Sequence, residues 1–318
     1  MEINIIEQIR KHETIIIHRH KFPDLDAYGS QLGLKELIKE NFKEKLVYVV
    51  GDTHNYPFDN TMDEISDETY NGALVFVLDT ADERLISDKR YQLGKTLINI
   101  DHHQNLTNIK PLIFYHKPNL ISCSQMIADI AMIGNLKLND LAASHIYAGI
   151  VGDSGRFQYI TNDNAKETFK AVSFLMEYQV DIKKIYDFQN LETLDRRIAR
   201  DQFREFNITK NNVAYRFNDL KTIKDSKLSF FDISRGTVNL MSGIEEVQIW
   251  ANFSEKETGE IIGEFRARDL SIVDIAKKFG GGGHNQACGA TLTSWEECLE
   301  VVKCFDERMK EQNDQRNI

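Results

Sequence analysis

Thr14-Ile15-Ile16-Ile17-His18-Arg19-His20-Lys21-Phe22-Pro23-Asp24-Leu25-Asp26-Ala27-Tyr28-Gly29-Ser30 holds three structural signals in seventeen residues. Thr14 to Ile17 is β-branched and largely apolar, as expected of a strand buried on both faces of a parallel sheet. His20 to Asp26 is polar, with Pro23 stiffening a turn. Ala27 to Glu40 then places Leu32, Leu37 and Ile38 at near-helical spacing. Strand, polar loop and helix open a β-α-β unit, and more buried-strand runs follow at Leu46 to Val50, Leu74 to Leu78 and Thr96 to Ile100. The alternation predicts an α/β domain, doubly wound on a parallel sheet.

Polar residues fall at the ends of these runs. His18 and His20 follow the first strand, Asp79 closes the third, and Asp101-His102-His103 closes the fourth. Open α/β sheets bind ligands beyond the carboxyl ends of their strands. From about residue 122 to 188 the pattern is helical, with Leu141 to Val151 ending at Gly152-Asp153-Ser154-Gly155. Carboxylates and imidazoles without thiolate suit hard or borderline divalent metals. Each residue also has a plainer reading: Asp24 or Asp26 as a helix cap, Asp79 as a turn residue, Asp101 to His103 as a polar strand end. Their joint occurrence favours ligands. Asp24, Asp26, Asp79 and Asp153 together would balance two divalent cations, as in two-metal sites with ions about 3.5–4 Å apart.

The 318 residues, 42% hydrophobic and 28% charged, suffice for two domains with real cores. A net charge of −10 argues against a partner of long duplex nucleic acid, whose binding needs many neutralised phosphates. Cys123, Cys288, Cys298 and Cys304 form no zinc spacing and read as reduced thiols. The N-terminus does not read as a secretory leader and no run reads as a membrane span, so a cytoplasmic, membrane-free protein is expected.

The Arg196, Arg197, Arg200 and Arg204 stretch reads as an exposed helix within a linker, residues 189–206. It would join domain 1–188 to a smaller α+β domain, 207–318. In the latter, Val247 to Phe253 and Glu260 to Arg266 flank a Gly-containing hairpin turn. A helix from Ser271 to Phe279 stops at Gly280-Gly281-Gly282-Gly283-His284, and Ser294 with Glu297 suits a capping box at the last helix. The glycines read either as a helix C-cap with a flexible loop or as an anion-binding concavity of unobstructed N–H groups.

Taken together, these motifs resemble the DHH phosphoesterases, named for the triplet seen here as Asp101-His102-His103. His20 to Ser30 is similar to that family's metal loop, Asp79-Thr80-Ala81-Asp82 to its second motif, and Gly152 to Phe157 to its fourth. Phe265-Arg266-Ala267-Arg268 and Gly280 to Ala290 resemble the DHH-associated C-terminal domain, with Cys288 where a small hydroxyl residue is expected. The resemblance implies one ion on His20, Asp24 and Asp79, and another on Asp26, Asp79, His102 and Asp153, with Asp79 bridging. Manganese is the implied metal, although the O/N ligand set equally admits magnesium or cobalt. His103 would contact the phosphoryl group or assist the leaving oxygen, Asp101 would orient a histidine, and Arg156 would clamp phosphate. Arg266, Arg268, Gly281, Gly282, Gly283 and His284 would bind substrate.

Length and architecture look most like the compact group that hydrolyses short single-stranded RNA to mononucleotides and 3′-phosphoadenosine-5′-phosphate (pAp) to AMP. In that group a water activated between two ions attacks phosphorus. The resemblance is also compatible with a homodimer. The competing expectations are a cyclic or linear dinucleotide phosphodiesterase and, outside catalysis, a nucleotide-binding sensor.

Overall fold

The structure, a computed structural model, describes residues 1–104 and 107–316. The chain divides into two compact units, Met1–Leu191 and Glu192–Ile318.

In the first unit, helix α1 (Glu2–Lys11) precedes β1 (Thr14–Arg19), α2 (Leu25–Asn41), β2 (Leu46–Val49), β3 (Leu74–Leu78), β4 (Thr96–Asp101) and β5 (Ile113–His116). Then come α3 (Cys123–Gly134), α4 (Asp140–Asp153), α5 (Ala165–Leu175) and α6 (Ile182–Asn190). The strands form one parallel sheet in the order β2-β1-β3-β4-β5. Chain order reverses between β1 and β3, the kind of crevice where doubly wound sheets bind ligands. Both faces are covered, as an all-parallel sheet requires. The helical face packs Ile15, Ile17, Leu74, Phe76 and Ile98 against α2, α3 and α4. The other face buries Ile16, Val75 and Val77 under Tyr70 and Tyr91, which belong to 3₁₀ turns.

Among the described residues the most extensive helix packing is between α2 and α4, and small residues permit it. A Cβ on Gly29 would lie 2.6 Å from the His145 carbonyl and 2.9 Å from the Gly149 nitrogen.

Asp129 on α3 is mostly buried, and burial with the Glu167 and Glu2 charges pushes its carboxyl up to about 6. A raised carboxyl pKa means the folded chain holds its proton longer than the unfolded chain, so stability falls as pH rises from the unfolded value of about 3.9 through about 6. Asp129→Asn is expected to stabilise the protein by about 1–2 kcal/mol at pH 7, after allowance for solvent screening, and negligibly at pH 4. Denaturant melts at both pH values check this.

In the second unit, α7 (Leu194–Asp201) leads to β6 (Asn207–Ile208), β7 (Val213–Asn218), α8 (Leu220–Asp225), α9 (Phe230–Ser234), β8 (Ile249–Glu255) and β9 (Ile261–Ala267). After these come α10 (Val273–Lys278), β10 (Gly282–Gly283), β11 (Ala287–Leu292) and α11 (Trp295–Arg316). The sheet order is β10-β11-β9-β8-β7-β6, with β7 and β8 parallel and the remaining pairs antiparallel. Helix α7 buries no residue, and its arginines pair with acids: Arg197 and Arg200 with Glu192, Arg196 with Asp232. The capping box forms with a shift: Glu297 N–H donates to Ser294, but the Glu297 carboxylate accepts from the N–H of Thr293. Among the described residues no helix is long and apolar enough to cross a membrane.

Candidate active site

Asp24 caps α2, its Oδ1 accepting the N–H groups of Asp26 and Ala27 at 3.0 Å each. The plainer reading of Asp24 therefore holds, and a ligand role is compatible with it, since both bonds fall on Oδ1 and neither uses Oδ2. Asp26, in the first turn of α2, is fully buried and accepts the Cys123 and Ser124 N–H groups at 2.6 and 2.8 Å. These amides open α3, so the positive end of that helix faces the carboxylate. Asp79 follows β3 in a left-handed conformation, φ 58°, which a carboxamide or carboxylate side chain tolerates better than most. Buried Asn99 secures this turn by donating to the Val77 and Thr80 carbonyls at 2.9 and 2.8 Å. Asp153 ends α4, where the helix dipole disfavours an anion by about 0.3–1 kcal/mol.

The strand ends bring these side chains together. His20 Nδ1 meets its neighbour's carbonyl, Lys21 O, at 2.8 Å, which aims Nε2 at Asp79 Oδ2 (3.3 Å) and Asp24 Oδ1 (3.7 Å). The Nδ1 atom of His102 faces Leu120 O at 3.4 Å, and its Nε2 lies 3.1 Å from Asp153 Oδ2, 3.5 Å from Asp79 Oδ1 and 3.7 Å from Asp26 Oδ2. Thus Asp79 turns one oxygen to each cluster. His103 instead gives Nδ1 to Asp101 Oδ1 at 2.8 Å, which sets its tautomer. Three groups, His20-Asp24-Asp79, Asp26-His102-Asp153 and Asp79-His102-His103, have candidate ligand atoms mutually within 4.8 Å.

These spacings fit an ion. Ligands about 2.1 Å from an octahedral cation lie about 3.0 Å apart when adjacent and about 4.2 Å when opposite. Asp79 Oδ1 and His102 Nε2 are also buried without a hydrogen-bond partner among the described residues. Such orphaned atoms are costly unless something unlike a hydrogen bond satisfies them, and a cation does.

The charges strain against one another. Burial, then the Asp79 and Asp153 charges, push the Asp26 carboxyl well up, with His102 opposing. Burial and the Asp24 and Asp79 charges bring Asp153 up to about 6 against His102. Burial would lower the His20 imidazole, but Asp24 and Asp79 outweigh it and push it up to about 11. His102 is likewise raised against burial by Asp153 and Asp79. A divalent ion would displace these protons and neutralise the carboxylates, so metal affinity should rise with pH.

Asp52 was not singled out from the sequence. It accepts the Phe22 N–H at 2.8 Å and His54 Nε2 at 2.9 Å, bonds the Ser87 hydroxyl, and pairs with fully buried Arg19 at 3.2 Å. Arg19 also donates to His20 O at 3.1 Å, so the pair fixes the 20–24 loop from below. Its signal was an arginine at the end of a buried strand, which demands a counter-charge. Arg156 lies on a left-handed turn, Gly155-Arg156-Phe157 with φ 55°, 60° and 67°; the side chain is exposed and bonds Asn190 at 2.8 Å.

Residues 14–150 match the DHH family, N-terminal domain, and residues 218–311 match the DHHA1 domain. A protein of Streptococcus mutans named probable bifunctional oligoribonuclease and PAP phosphatase NrnA is 39% identical, covering 94% of this chain and 96% of its own. The chain belongs to the DHH family. The Bacillus subtilis bifunctional oligoribonuclease and PAP phosphatase NrnA is 35% identical over 98% of this chain and 99% of its own. An exopolyphosphatase-related protein from Bacteroides fragilis shares the fold, with TM-score 0.84 at 22% identity, covering 98% of this chain and 96% of its own.

In the DHHA1 region a cavity of about 550 Å³ is lined by Arg235, Glu264, Arg266, Gly280 to Gly283 and His284, among others. Arg266, Gly281, Gly282, Gly283 and His284 therefore come together as the sequence suggested. Arg268 does not join them: β9 ends at Ala267, and Arg268 gives its N–H to Gln248 O and its guanidinium to Glu245 O. The glycine run is also less open than a nest would be. Gly280, Gly281 and His284 N–H groups are taken by Lys277 O, Ala276 O and Ala287 O, and Gly282–Gly283 pairs with β11.

Proposed function

We propose that this DHH-family chain is a metal-dependent phosphoesterase that hydrolyses short oligoribonucleotides to mononucleotides and pAp to AMP. The observation that carries the reading is the Asp79 carboxylate, one oxygen toward His20 and the other toward His102, flanked by Asp24, Asp26 and Asp153. The oligoribonuclease and pAp specificity is supported by two relatives of that name at 39% and 35% identity over nearly full length.

His20, Asp24 and Asp79 would hold one divalent ion, and Asp26, Asp79, His102 and Asp153 the other, manganese being the proposed metal. Bound there, such ions supply neutralisation of phosphoryl charge and acidification of water. The chain's own residues do the rest. Asp26, locked onto α3, keeps its carboxylate from drifting as substrate charge enters. His103, with Nδ1 on Asp101, is the proposed donor of a proton from Nε2 to the leaving oxygen. Burial lowers its imidazole pKa, but Asp101 and the Asp79 charge carry it above the usual value, which favours that protonated form. Arg156, exposed and anchored on Asn190, is the proposed contact for the phosphate.

The test is product analysis with manganese and a panel of RNA dimers to pentamers, pAp, cyclic dinucleotides and pyrophosphate. Dimers should give mononucleotides and pAp should give AMP, both lost on chelation. Faster cleavage of a cyclic dinucleotide, or nucleotide binding without turnover, would overturn the assignment.

A further inference from the structure

The glycine amides that could have held an anion in the DHHA1 cavity are mostly committed to the fold, and Arg268 is turned away. The cavity's positive charge comes from elsewhere. Arg235, at the end of α9, donates Nε to Glu264 Oε1 at 3.0 Å, while Arg266 approaches Glu264 Oε2 at 3.2 and 3.3 Å. Two guanidiniums thus converge on one carboxylate, leaving one net positive charge among the three.

We propose that Arg235 is a specificity-determining residue that, with Arg266, binds a terminal phosphomonoester of the nucleotide substrate. This deepens the function proposed above and takes its substrate class from it.

Glu264 is a fixed anchor. It lies on β9 between Asn252 of β8 and Gly289 of β11, with its side chain 11% exposed. Arg235 is 62% exposed, and its guanidinium carbon sits 5.6 Å from the Phe231 ring centroid, so the ring backs the cation. An ion pair with so exposed a partner adds little to stability. Its geometric effect is larger, because it holds a long side chain beside Arg266 before substrate arrives. Planar guanidiniums match phosphate oxygens in pairs, and a terminal phosphate dianion can use both where a single internal phosphodiester charge gains less. The roughly 550 Å³ cavity lies within the range of small-molecule sites.

The test compares RNA dimers bearing a 5′-phosphate, a 3′-phosphate or neither, cleaved by the full-length manganese-loaded protein. Wild type should prefer one phosphorylated form, and which one identifies the end that is held. Arg235→Ala should cut that preference, as a ratio of kcat/KM values, about tenfold or more through KM, the loss expected of one charge-assisted contact. Arg235→Lys should recover part of it, since it keeps the charge and loses the planar fork. Calorimetry on the full-length metal-free protein should show AMP binding weakened about tenfold by Arg235→Ala, and adenosine binding much less. Equal losses for dimers with and without a terminal phosphate, or unchanged AMP affinity, would overturn the proposal. Wild type that cleaves no dimer would overturn the oligoribonuclease reading, while the AMP and adenosine comparison would still decide Arg235.

Discussion

Asp79→Asn is expected to lower metal-dependent turnover of an RNA dimer by at least about 10³-fold, equivalent to about 4 kcal/mol of transition-state stabilisation. Asparagine keeps the shape and tolerates the left-handed φ of 58° nearly as well as aspartate. The backbone turn held by Asn99 should therefore survive. What is lost is the charge facing both His20 and His102. Asp82→Asn, three residues on, is the matched control: among the described residues the Asp82 carboxylate bonds Arg84 and Asn108 and belongs to none of the three candidate metal groups, so the variant should keep most of the activity. Steady-state kinetics at saturating manganese decide it, and an Asp79→Asn protein above a tenth of wild-type turnover would refute Asp79 as the shared ligand.

The second large effect lies on a residue with no chemistry of its own. Gly149→Ala should destabilise the protein by about 3 kcal/mol or more and weaken manganese binding at least about tenfold. Its Cβ would fall 2.0 Å from Ser124 Oγ and 2.8 Å from Asp26 Oδ1. Either α4 moves away from α3 and α2, or Ser124 is displaced and Asp26 leaves the two α3 amides that hold it. The first response opens the core and the second misplaces a candidate ligand. Denaturant melts and metal titration separate them; a variant matching wild type in both would contradict the packing described.

The first unit was readable because its signals are local. Thr14 to Ile17 and Leu74 to Leu78 are buried along their length, and strands of that kind show as unbroken apolar runs. β5 escaped notice because only Tyr115 of Ile113-Phe114-Tyr115-His116 is fully buried, as befits an edge strand. β11 was hidden for another reason: Ala287-Cys288-Gly289-Ala290 has little intrinsic strand preference, and pairing with β9 imposes the conformation. Pairing with the other edge of β11 turned half of an expected open glycine loop into β10.

Site residues followed the same division. His20, Asp24, Asp79 and His102 stand beside strand ends, where position in the sequence predicts position in space. Asp52 joins Arg19 across 33 positions and Arg235 joins Glu264 across 29; Arg19 at the end of a buried strand signals a counter-charge, but nothing local says which residue supplies it. Arg268 failed for the opposite reason: motif spacing put it beside Arg266, but the strand stops between them.

The central claim is that the His20 and His102 clusters form one two-ion hydrolytic site. Its most direct measurement follows RNA-dimer hydrolysis against the number of manganese ions bound per intact chain, counted by native mass spectrometry. The account predicts no turnover at zero ions and full turnover at two. Hydrolysis that persists in the metal-stripped protein would contradict it.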